Sequence, residues 1–179
     1  MDINKQKFTN LEREVFSLLC IKAGEKLSQR EIAQSLTVSP TAVAKSVQRL
    51  KVKNLVKIEK TKTINFISFN RDEQRALELK RVENIKNMYV SGLSAYLEER
   101  LAGSTIILFG SYSKGEDTST SDIDVAVIGR KSKMLDLEKY EKILNRRINV
   151  NFYHSWQDIH KHLKNNILNG IVLQGSIEL

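Results

Sequence analysis

The feature that most constrains this chain is the stretch TIILFGSYSKGEDTSTSDIDVAVIG at residues 105–129. Its apolar, β-branched beginning predicts a buried strand, which ends directly at Gly110-Ser111. A loop rich in Gly, Ser and Thr is expected next, before a second strand in which Asp122 and Asp124 alternate with apolar residues. Side chains two apart in a strand share one face, about 6.6 Å apart. Both carboxylates are therefore expected to face the glycine loop.

Two carboxylates placed in this way suit a pair of Mg²⁺ ions about 3.5–4 Å apart. Such ions would neutralise triphosphate oxygens and activate an attacking hydroxyl. Gly110 allows backbone N–H groups to approach phosphate, and Ser111 adds a hydroxyl. The segment from Gly110 to Gly115 lacks the Gly-Lys-Ser/Thr ending of a Walker A loop. The pattern therefore predicts a metal and nucleotide site of another kind.

Gly-Ser, ten further residues and Asp-x-Asp resemble the signature of the DNA polymerase β-type nucleotidyltransferase superfamily. The whole string G-S-Y-S-K-G…S-D-I-D-V is similar to its small prokaryotic branch, the minimal nucleotidyltransferases. NILNGIVLQG at residues 166–175 resembles the family's closing helix and strand, so the likeness covers about residues 72–179. It implies attack of an acceptor hydroxyl on the α-phosphate of a nucleoside triphosphate (NTP). Pyrophosphate leaves, and a nucleoside monophosphate is added to the acceptor.

The resemblance also implies roles for individual residues. Asp122 and Asp124 would be catalytic and would hold Mg²⁺. Their spacing would accommodate two ions. ATP is the favoured nucleotide. The nucleotide-binding set is Gly110, Ser111, Lys114, Gly115 and Ser121.

The family normally supplies a third carboxylate from a later strand, and this chain departs from that pattern. The corresponding strand is INVNFY at residues 148–153, in which Asn149 and Asn151 face the expected site. Counting back from the closing strand favours Asn151 as the third-acid position, with Asn149 as the alternative. Asparagine carries no charge and accepts no proton at neutral pH, which leaves the general base undefined. No spacing assigns that role to the other candidates, Glu116, Asp117 and Asp158.

The first 70 residues read as three helices followed by a hairpin. Ser28 opens S-Q-R-E, a capping-box pattern with Glu31, and Ser39-Pro40 is a helix-start signal. The segment KLSQREIAQSLTVSPTAVAKSVQRLKVKNLVKIEK resembles the winged helix-turn-helix family, particularly bacterial and archaeal transcription regulators. In that family the second helix of the motif enters the major groove and the wing contacts the backbone.

The resemblance implies a set of DNA-binding residues on the recognition helix and the wing. Lys45 and Arg49 lie four residues apart on one helical face, so both can reach DNA together. The alternative is a winged helix used for protein interaction or dimerisation. The full DNA-binding set is Ser39, Thr41, Ala42, Lys45, Ser46, Arg49, Lys60 and Lys62.

The distribution of charge supports a nucleic-acid partner. The chain has 179 residues and a formal net charge of +8. Residues 1–72 contain 14 Lys and Arg but seven Asp and Glu, whereas the remainder is almost neutral. A basic module joined to a neutral one is typical of nucleic-acid binding proteins.

Residues 72–102 predict a long amphipathic helix, or two helices joined near Ser91-Gly92. Its apolar stripe either packs on the second domain or forms the seam of a homodimer. No apolar run long enough for a membrane span is present, and the polar N-terminus lacks a secretory h-region. The one cysteine, Cys20, excludes an internal disulfide framework. A cytoplasmic protein is expected.

These patterns predict a two-domain α/β (α+β) protein. A winged helix-turn-helix spans residues 1–71, the connecting helix packs on the second domain over residues 72–102, and a small mixed-sheet nucleotidyltransferase domain spans residues 103–179. The favoured function is Mg²⁺-dependent nucleotidyl transfer to a hydroxyl, coupled to DNA binding. Minimal nucleotidyltransferases also act in toxin–antitoxin pairs, so a HEPN-type protein partner is a further expectation. The alternatives are a transcription regulator with a catalytically degenerate fold that senses a nucleotide or dimerises, and an interaction scaffold.

Overall fold

The computed structural model describes residues 8–178 and divides the chain into two compact units, Met1–Lys80 and Arg81–Leu179. Most of the polar N-terminal segment interpreted above, residues 1–7, lies outside the described residues, as does Leu179. The predicted α/β class is confirmed, with an N-terminal winged-helix region and a C-terminal mixed sheet. No helix in residues 8–178 is long and apolar enough to cross a membrane.

From residue 8 onward, the first unit contains three complete helices, the beginning of a fourth, and a three-stranded antiparallel sheet with strand order β1-β3-β2. The two-residue strand β1 was not predicted, because two residues are too short to show an alternating pattern. The elements are α1 (Asn10–Ile21), β1 (Leu27–Ser28), α2 (Gln29–Leu36), α3 (Pro40–Val52), β2 (Val56–Lys60) and β3 (Asn65–Phe69).

Both predicted helix starts of this unit are confirmed. Ser28 and Glu31 form the reciprocal capping box at the start of α2. The Ser39 side chain accepts a hydrogen bond from the Ala42 N–H, and Pro40 occupies the first turn of α3. These caps satisfy helix N–H groups that have no partner within the helix. The helices pack through a shared core that includes Val15, Leu19, Ile32, Val47 and Ile67.

Two helices follow, α4 (Gln74–Val90) and α5 (Leu93–Arg100), separated at Ser91-Gly92. The structure thus selects the second alternative, two joined helices. Gly92 precedes α5 with a φ of +78°, a left-handed conformation that glycine adopts without steric cost. The division between the two units falls within α4.

The second unit is a four-stranded mixed sheet of order β6-β5-β4-β7. Strands β5 and β6 are parallel, whereas β4 is antiparallel to both β5 and β7. Its elements are β4 (Thr105–Phe109), α6 (Gly110–Lys114), β5 (Ile123–Ile128), α7 (Glu138–Leu144), β6 (Ile148–Tyr153), a 3-10 turn (Trp156–Asp158), α8 (Lys161–Leu168) and β7 (Ile171–Gln174).

Both faces of the central strands β4 and β5 are covered. Ile106 and Val125 lie in the core that contains the end of α4 and α5, while Ile107 and Ala126 lie in the core that contains α8. Because successive side chains of a strand point to opposite faces, Asp124 shares a face with Ala126. The carboxylates therefore lie at the beginning of β5, on the face that α8 covers further along.

Candidate active site and nucleic-acid interface

Asp122 and Asp124 are brought together with an asparagine of the neighbouring strand. The parallel register pairs Asp124 with Asn149, one residue after the start of β6. The Asn149 Nδ2 group donates to Asp122 Oδ2 at 3.0 Å and to Asp124 Oδ1 at 3.3 Å. Both N–H bonds of one amide are thus directed at the two carboxylates.

Asn151 lies two residues further along the strand, opposite Ala126. The sequence argument favoured Asn151 as the third-acid position, but the register places the alternative, Asn149, beside the carboxylates. Counting back from the closing strand favoured Asn151 because the pairing register of β5 with β6 cannot be read from the sequence. In either case the residue is asparagine.

Gly110 lies directly against this group. Phe109 pairs with Asp124 across the antiparallel ladder, which brings the next residue of the chain beside the carboxylate. A Cβ atom built on Gly110 would lie 2.7 Å from Asp124 Oδ2, and the φ of Gly110 is +76°. Close approach and left-handed backbone both require glycine at this position.

The segment after Gly110 is the short helix α6, where a loop was predicted. The Ser113 hydroxyl donates to the Gly110 carbonyl at 2.8 Å, and Gly115 ends the helix with a φ of +78°. Ser111 lies half-buried in the first turn of α6, and Lys114 is exposed in its last turn. The pattern approach missed the helix because five residues are too few to show helical periodicity.

Ser121 closes the turn that delivers Asp122 to the sheet. Its hydroxyl oxygen accepts a hydrogen bond from the Thr118 N–H at 2.9 Å, and its own N–H donates to the Thr118 carbonyl at 3.1 Å. Ser121 therefore orders the backbone immediately before the carboxylates.

A buried polar group lies below this loop, and the sequence analysis missed it. Asn84 Nδ2 donates to the Tyr112 carbonyl at 2.9 Å and to Asp117 Oδ1 at 2.7 Å. Arg146 Nη1 donates to the Ser119 carbonyl at 2.9 Å, and its Nη2 lies 3.6 Å from Asp117 Oδ2. Burial, followed by the nearby Asp117 charge, raises the pKa of Tyr112. The sequence signal was weak, because no spacing connects residues this far apart in the chain.

Local contacts give two of the candidate bases a structural role. Asp117 is 1 % exposed and paired with Arg146, so it orders the loop and does not face solvent. Asp158 accepts hydrogen bonds from the N–H and hydroxyl of Ser155 in the 3-10 turn. Glu116 is exposed, and nothing in its position assigns it to the carboxylate pair.

The donor set at Asp122 and Asp124 fits a hard cation only in part. Carboxylate oxygens suit Mg²⁺, and the Asn149 side chain offers one further oxygen if its amide turns over. Within residues 8–178, no group of three or more His, Cys, Asp or Glu is arranged to hold a metal ion. The described residues therefore offer two carboxylates, fewer ligands than a cation site built from protein groups alone requires.

In the first unit, the recognition-helix candidates divide by exposure. Ser39, Thr41 and Lys45 are exposed, and Ala42 is half-buried. Ser46 is 5 % exposed, so its side chain faces the core and cannot reach a base. Ser46 lies three residues after Val43 and four before Leu50, both of which are buried, so helical spacing places it on the inner face of α3.

Arg49 is anchored by a buried carboxylate. Its Nη1 donates to Glu12 Oε1 at 3.2 Å, and Lys53 Nζ donates to Glu12 Oε2 at 3.3 Å. Glu12 is 2 % exposed, whereas the Arg49 side chain is 62 % exposed. Burial raises the pKa of Glu12, but the hydrogen bonds from Arg49 and Lys53 outweigh it and leave this pKa below its ordinary value. Glu12 thus holds the Arg49 guanidinium group in place, while the exposed part of that side chain keeps N–H donors free to contact a ligand.

The turn of the wing lies between Lys60 and Asn65. Lys60 is the last residue of β2, Lys62 lies in the turn, and both are exposed. The Thr61 hydroxyl donates to the Ile64 carbonyl at 2.6 Å and closes this turn. A cavity of about 250 Å³ next to the wing includes the exposed Arg30, a basic residue that the sequence analysis did not select.

Comparison with known families matches both units. The family model "Nucleotidyltransferase domain" matches residues 90–173, and the model "Bacterial regulatory proteins, gntR family" matches residues 18–65. The chain is 43% identical over 70 residues to a protein of Methanocaldococcus jannaschii described as "Putative protein adenylyltransferase". That match covers 36% of this chain and 72% of the relative.

Two solved structures are similar to the chain. ZitR of Lactococcus lactis aligns with a TM-score of 0.40 and 18% identity, over 56% of this chain and 64% of that one. The adhesin competence repressor of Streptococcus pyogenes aligns with a TM-score of 0.41 and 17% identity, over 55% of this chain and 72% of that one.

Proposed function

The chain belongs to the nucleotidyltransferase domain family, and on that premise we propose that it transfers a nucleoside monophosphate from an NTP to a hydroxyl acceptor. One observation supports this most strongly. Asp122 and Asp124 share one face at the start of a strand, against a glycine whose missing side chain leaves room beside Asp124.

Mg²⁺ bound at this site would neutralise charge on the phosphate oxygens as pyrophosphate leaves. Asp122 and Asp124 would hold the cation. Gly110 and Ser111 would face the terminal phosphates, since only glycine allows the backbone to pass so close to Asp124. Lys114 is exposed at the end of α6 and would add a positive charge for the nucleotide. Gly115 and Ser121 would keep the helix end and the following turn in place.

ATP is the proposed nucleotide, and a protein hydroxyl is the proposed acceptor. The support is the Methanocaldococcus jannaschii relative, which is described as "Putative protein adenylyltransferase". A HEPN-type protein, as in toxin–antitoxin pairs, is one candidate partner that follows from the family resemblance. Its test is co-purification with the chain and labelling of the partner.

We further propose that the winged helix carries this activity to DNA. Lys45, Arg49 and the exposed wing residues Lys60 and Lys62 provide positive charge on two elements that can contact one duplex. Thr41 and Ser39 lie at the start of α3, where they can reach phosphate or base edges. We also propose a homodimer, because Val82 and Tyr89 on α4 are large hydrophobic side chains that are exposed in the single chain.

The experiment for transfer uses NTPs labelled at the α-phosphate, the purified chain, Mg²⁺ and a candidate acceptor protein. Label in the acceptor with ATP is the expected result, and it should vanish in the Asp122→Asn, Asp124→Asn double variant. Label that persists in the double variant would contradict the assignment of these residues. The Asp136→Asn variant is a matched control, because that exposed carboxylate lies elsewhere in the second unit.

A second candidate function is favoured by Asn149. A DNA-binding regulator that senses a nucleotide without transferring it needs the carboxylate pair but no general base. The two candidates separate in one comparison. Metal-dependent nucleotide binding with no labelled product on any acceptor would favour the sensor, whereas labelled product would favour the transferase.

A further inference from the structure

The side chain of Asn149 occupies the position between the two carboxylates. Its Nδ2 group lies 3.0 Å from Asp122 Oδ2 and 3.3 Å from Asp124 Oδ1. An amide NH₂ group has two hydrogens, and both are used here. Asn149 therefore offers its donors to the oxygens with which a cation would have to bond.

The charge of the group follows from the same residues. Asp122 and Asp124 contribute two negative charges and Asn149 contributes none, which matches the charge of one divalent cation. A second cation would have to be held by the phosphates of the nucleotide and not by additional protein carboxylates. Mg²⁺ loses its water reluctantly and is commonly bound through one or two carboxylates plus substrate phosphates.

From this arrangement we propose that Asn149 makes the metal site dependent on the nucleotide. The amide bridges the carboxylates in the nucleotide-free protein and competes with a free cation. One divalent cation is then bound together with the nucleotide, and Asn149 acts as a positioning residue for the carboxylates. This inference rests on the proposed nucleotide binding but concerns metal binding, which can be measured separately.

A second asparagine on β6 provides a matched control. Asn151 lies on the same strand and face, two residues beyond Asn149 and opposite Ala126. The substitution Asn149→Asp places a third carboxylate beside the other two, whereas Asn151→Asp adds the same charge two residues further along the strand. A difference between these two variants reports on position and not on net charge.

The test is titration of each protein with Mn²⁺, with free Mn²⁺ followed by electron paramagnetic resonance, in the presence and absence of ATP. The wild type is expected to bind Mn²⁺ weakly alone and one ion per chain with ATP. Asn149→Asp is expected to bind Mn²⁺ alone about tenfold or more tightly than wild type, because a charged ligand replaces a competing donor. Asn151→Asp is expected to resemble wild type.

Equal Mn²⁺ affinities of Asn149→Asp and wild type would overturn the proposal, as would an equal gain in Asn151→Asp. A wild type that binds no ATP even with Mn²⁺ refutes the proposed function instead, while the comparison of the two variants without ATP still decides the role of Asn149.

A second variant covers the case in which Asn149→Asp folds poorly. Asn149→Ala removes both donors and leaves the two carboxylates facing each other. Its melting temperature is expected to fall, and Mn²⁺ alone is expected to raise that temperature more than it does for wild type. An equal Mn²⁺-induced shift in Asn149→Ala and wild type would contradict competition by the amide.

Discussion

Replacement of Gly110 by alanine tests whether the site requires the close approach of Gly110 to Asp124. Alanine at a φ of +76° costs about 1–2 kcal/mol of folding free energy, because the Cβ atom clashes with backbone in the left-handed region. At Gly110 the new Cβ would also lie 2.7 Å from Asp124 Oδ2, which has to move. Displacing a packed group in this way adds about 1–3 kcal/mol.

Gly103 provides the matched control for this experiment. Its φ is +82°, and a Cβ atom there would meet nothing within 4 Å. Gly103→Ala should therefore show the backbone cost alone, and Gly110→Ala should show the backbone cost plus the displacement of Asp124. Denaturant unfolding measures the free energies of both variants, and calorimetry measures their affinity for Mg²⁺ and ATP.

The expected outcome is a larger loss of stability in Gly110→Ala than in Gly103→Ala. Nucleotide affinity should fall about tenfold or more in Gly110→Ala, because a carboxylate displaced by even part of an ångström no longer fits the metal and the phosphates. Gly103→Ala should keep the wild-type affinity. Equal stability losses and equal affinities in the two variants would refute the close approach of Gly110 to Asp124 as a functional requirement.

Three further predictions concern charged residues of the two units. Glu12→Gln should lower the unfolding free energy at pH 7 by about 1–2 kcal/mol, since it removes the charge on Arg49's hydrogen-bond acceptor. Because the folded pKa of Glu12 is lowered from 4.5, this stabilisation is present above that pH and is lost as the pH falls through the folded pKa. Denaturation curves of both proteins should therefore converge in acid, and a constant difference would contradict the assignment. Lys45→Ala should weaken DNA binding and reduce the slope of log affinity against log salt concentration by about 0.9 per lost phosphate contact. Arg49→Ala should have a smaller effect. Fluorescence anisotropy at several salt concentrations measures both variants, and unchanged slopes would exclude DNA contact through α3. Asp117→Asn removes the charge that lies 3.6 Å from the buried Arg146 and should cost about 3–5 kcal/mol in thermal or denaturant unfolding. A change near zero would show that the pair does not hold the loop.

Local signals predicted most of the first unit. Ser28 with Glu31, and Ser39 with Pro40, begin helices through bonds within four residues of the chain, so the sequence contains the whole interaction. Periodicity likewise placed the helices and the two longer strands of the wing. Ser46 was selected for DNA binding from the family resemblance, although its spacing from Val43 and Leu50 places it on the buried face of α3.

The site was predictable where it depends on spacing along one strand and not where it depends on register between strands. The shared face of Asp122 and Asp124 was predictable because side chains two apart in a strand point the same way. The position of Gly110 was predictable because it directly follows the strand that pairs with Asp124. Asn149 could not be chosen over Asn151, because the choice is decided by pairing with β5. The buried contact of Asp117 with Arg146 joins residues 29 positions apart, so no local pattern indicates it.

The measurement that tests the central claim most directly is calorimetric titration of ATP into the full chain, with and without Mg²⁺, for wild type and for the Asp122→Asn, Asp124→Asn double variant. GTP, CTP and UTP titrations show which nucleotide is preferred. Wild type is expected to bind ATP in an Mg²⁺-dependent way, and the double variant is expected to lose this binding with the fold intact by circular dichroism. Binding of equal strength in both proteins, or no Mg²⁺-dependent binding of any of the four nucleotides to wild type, would contradict that claim.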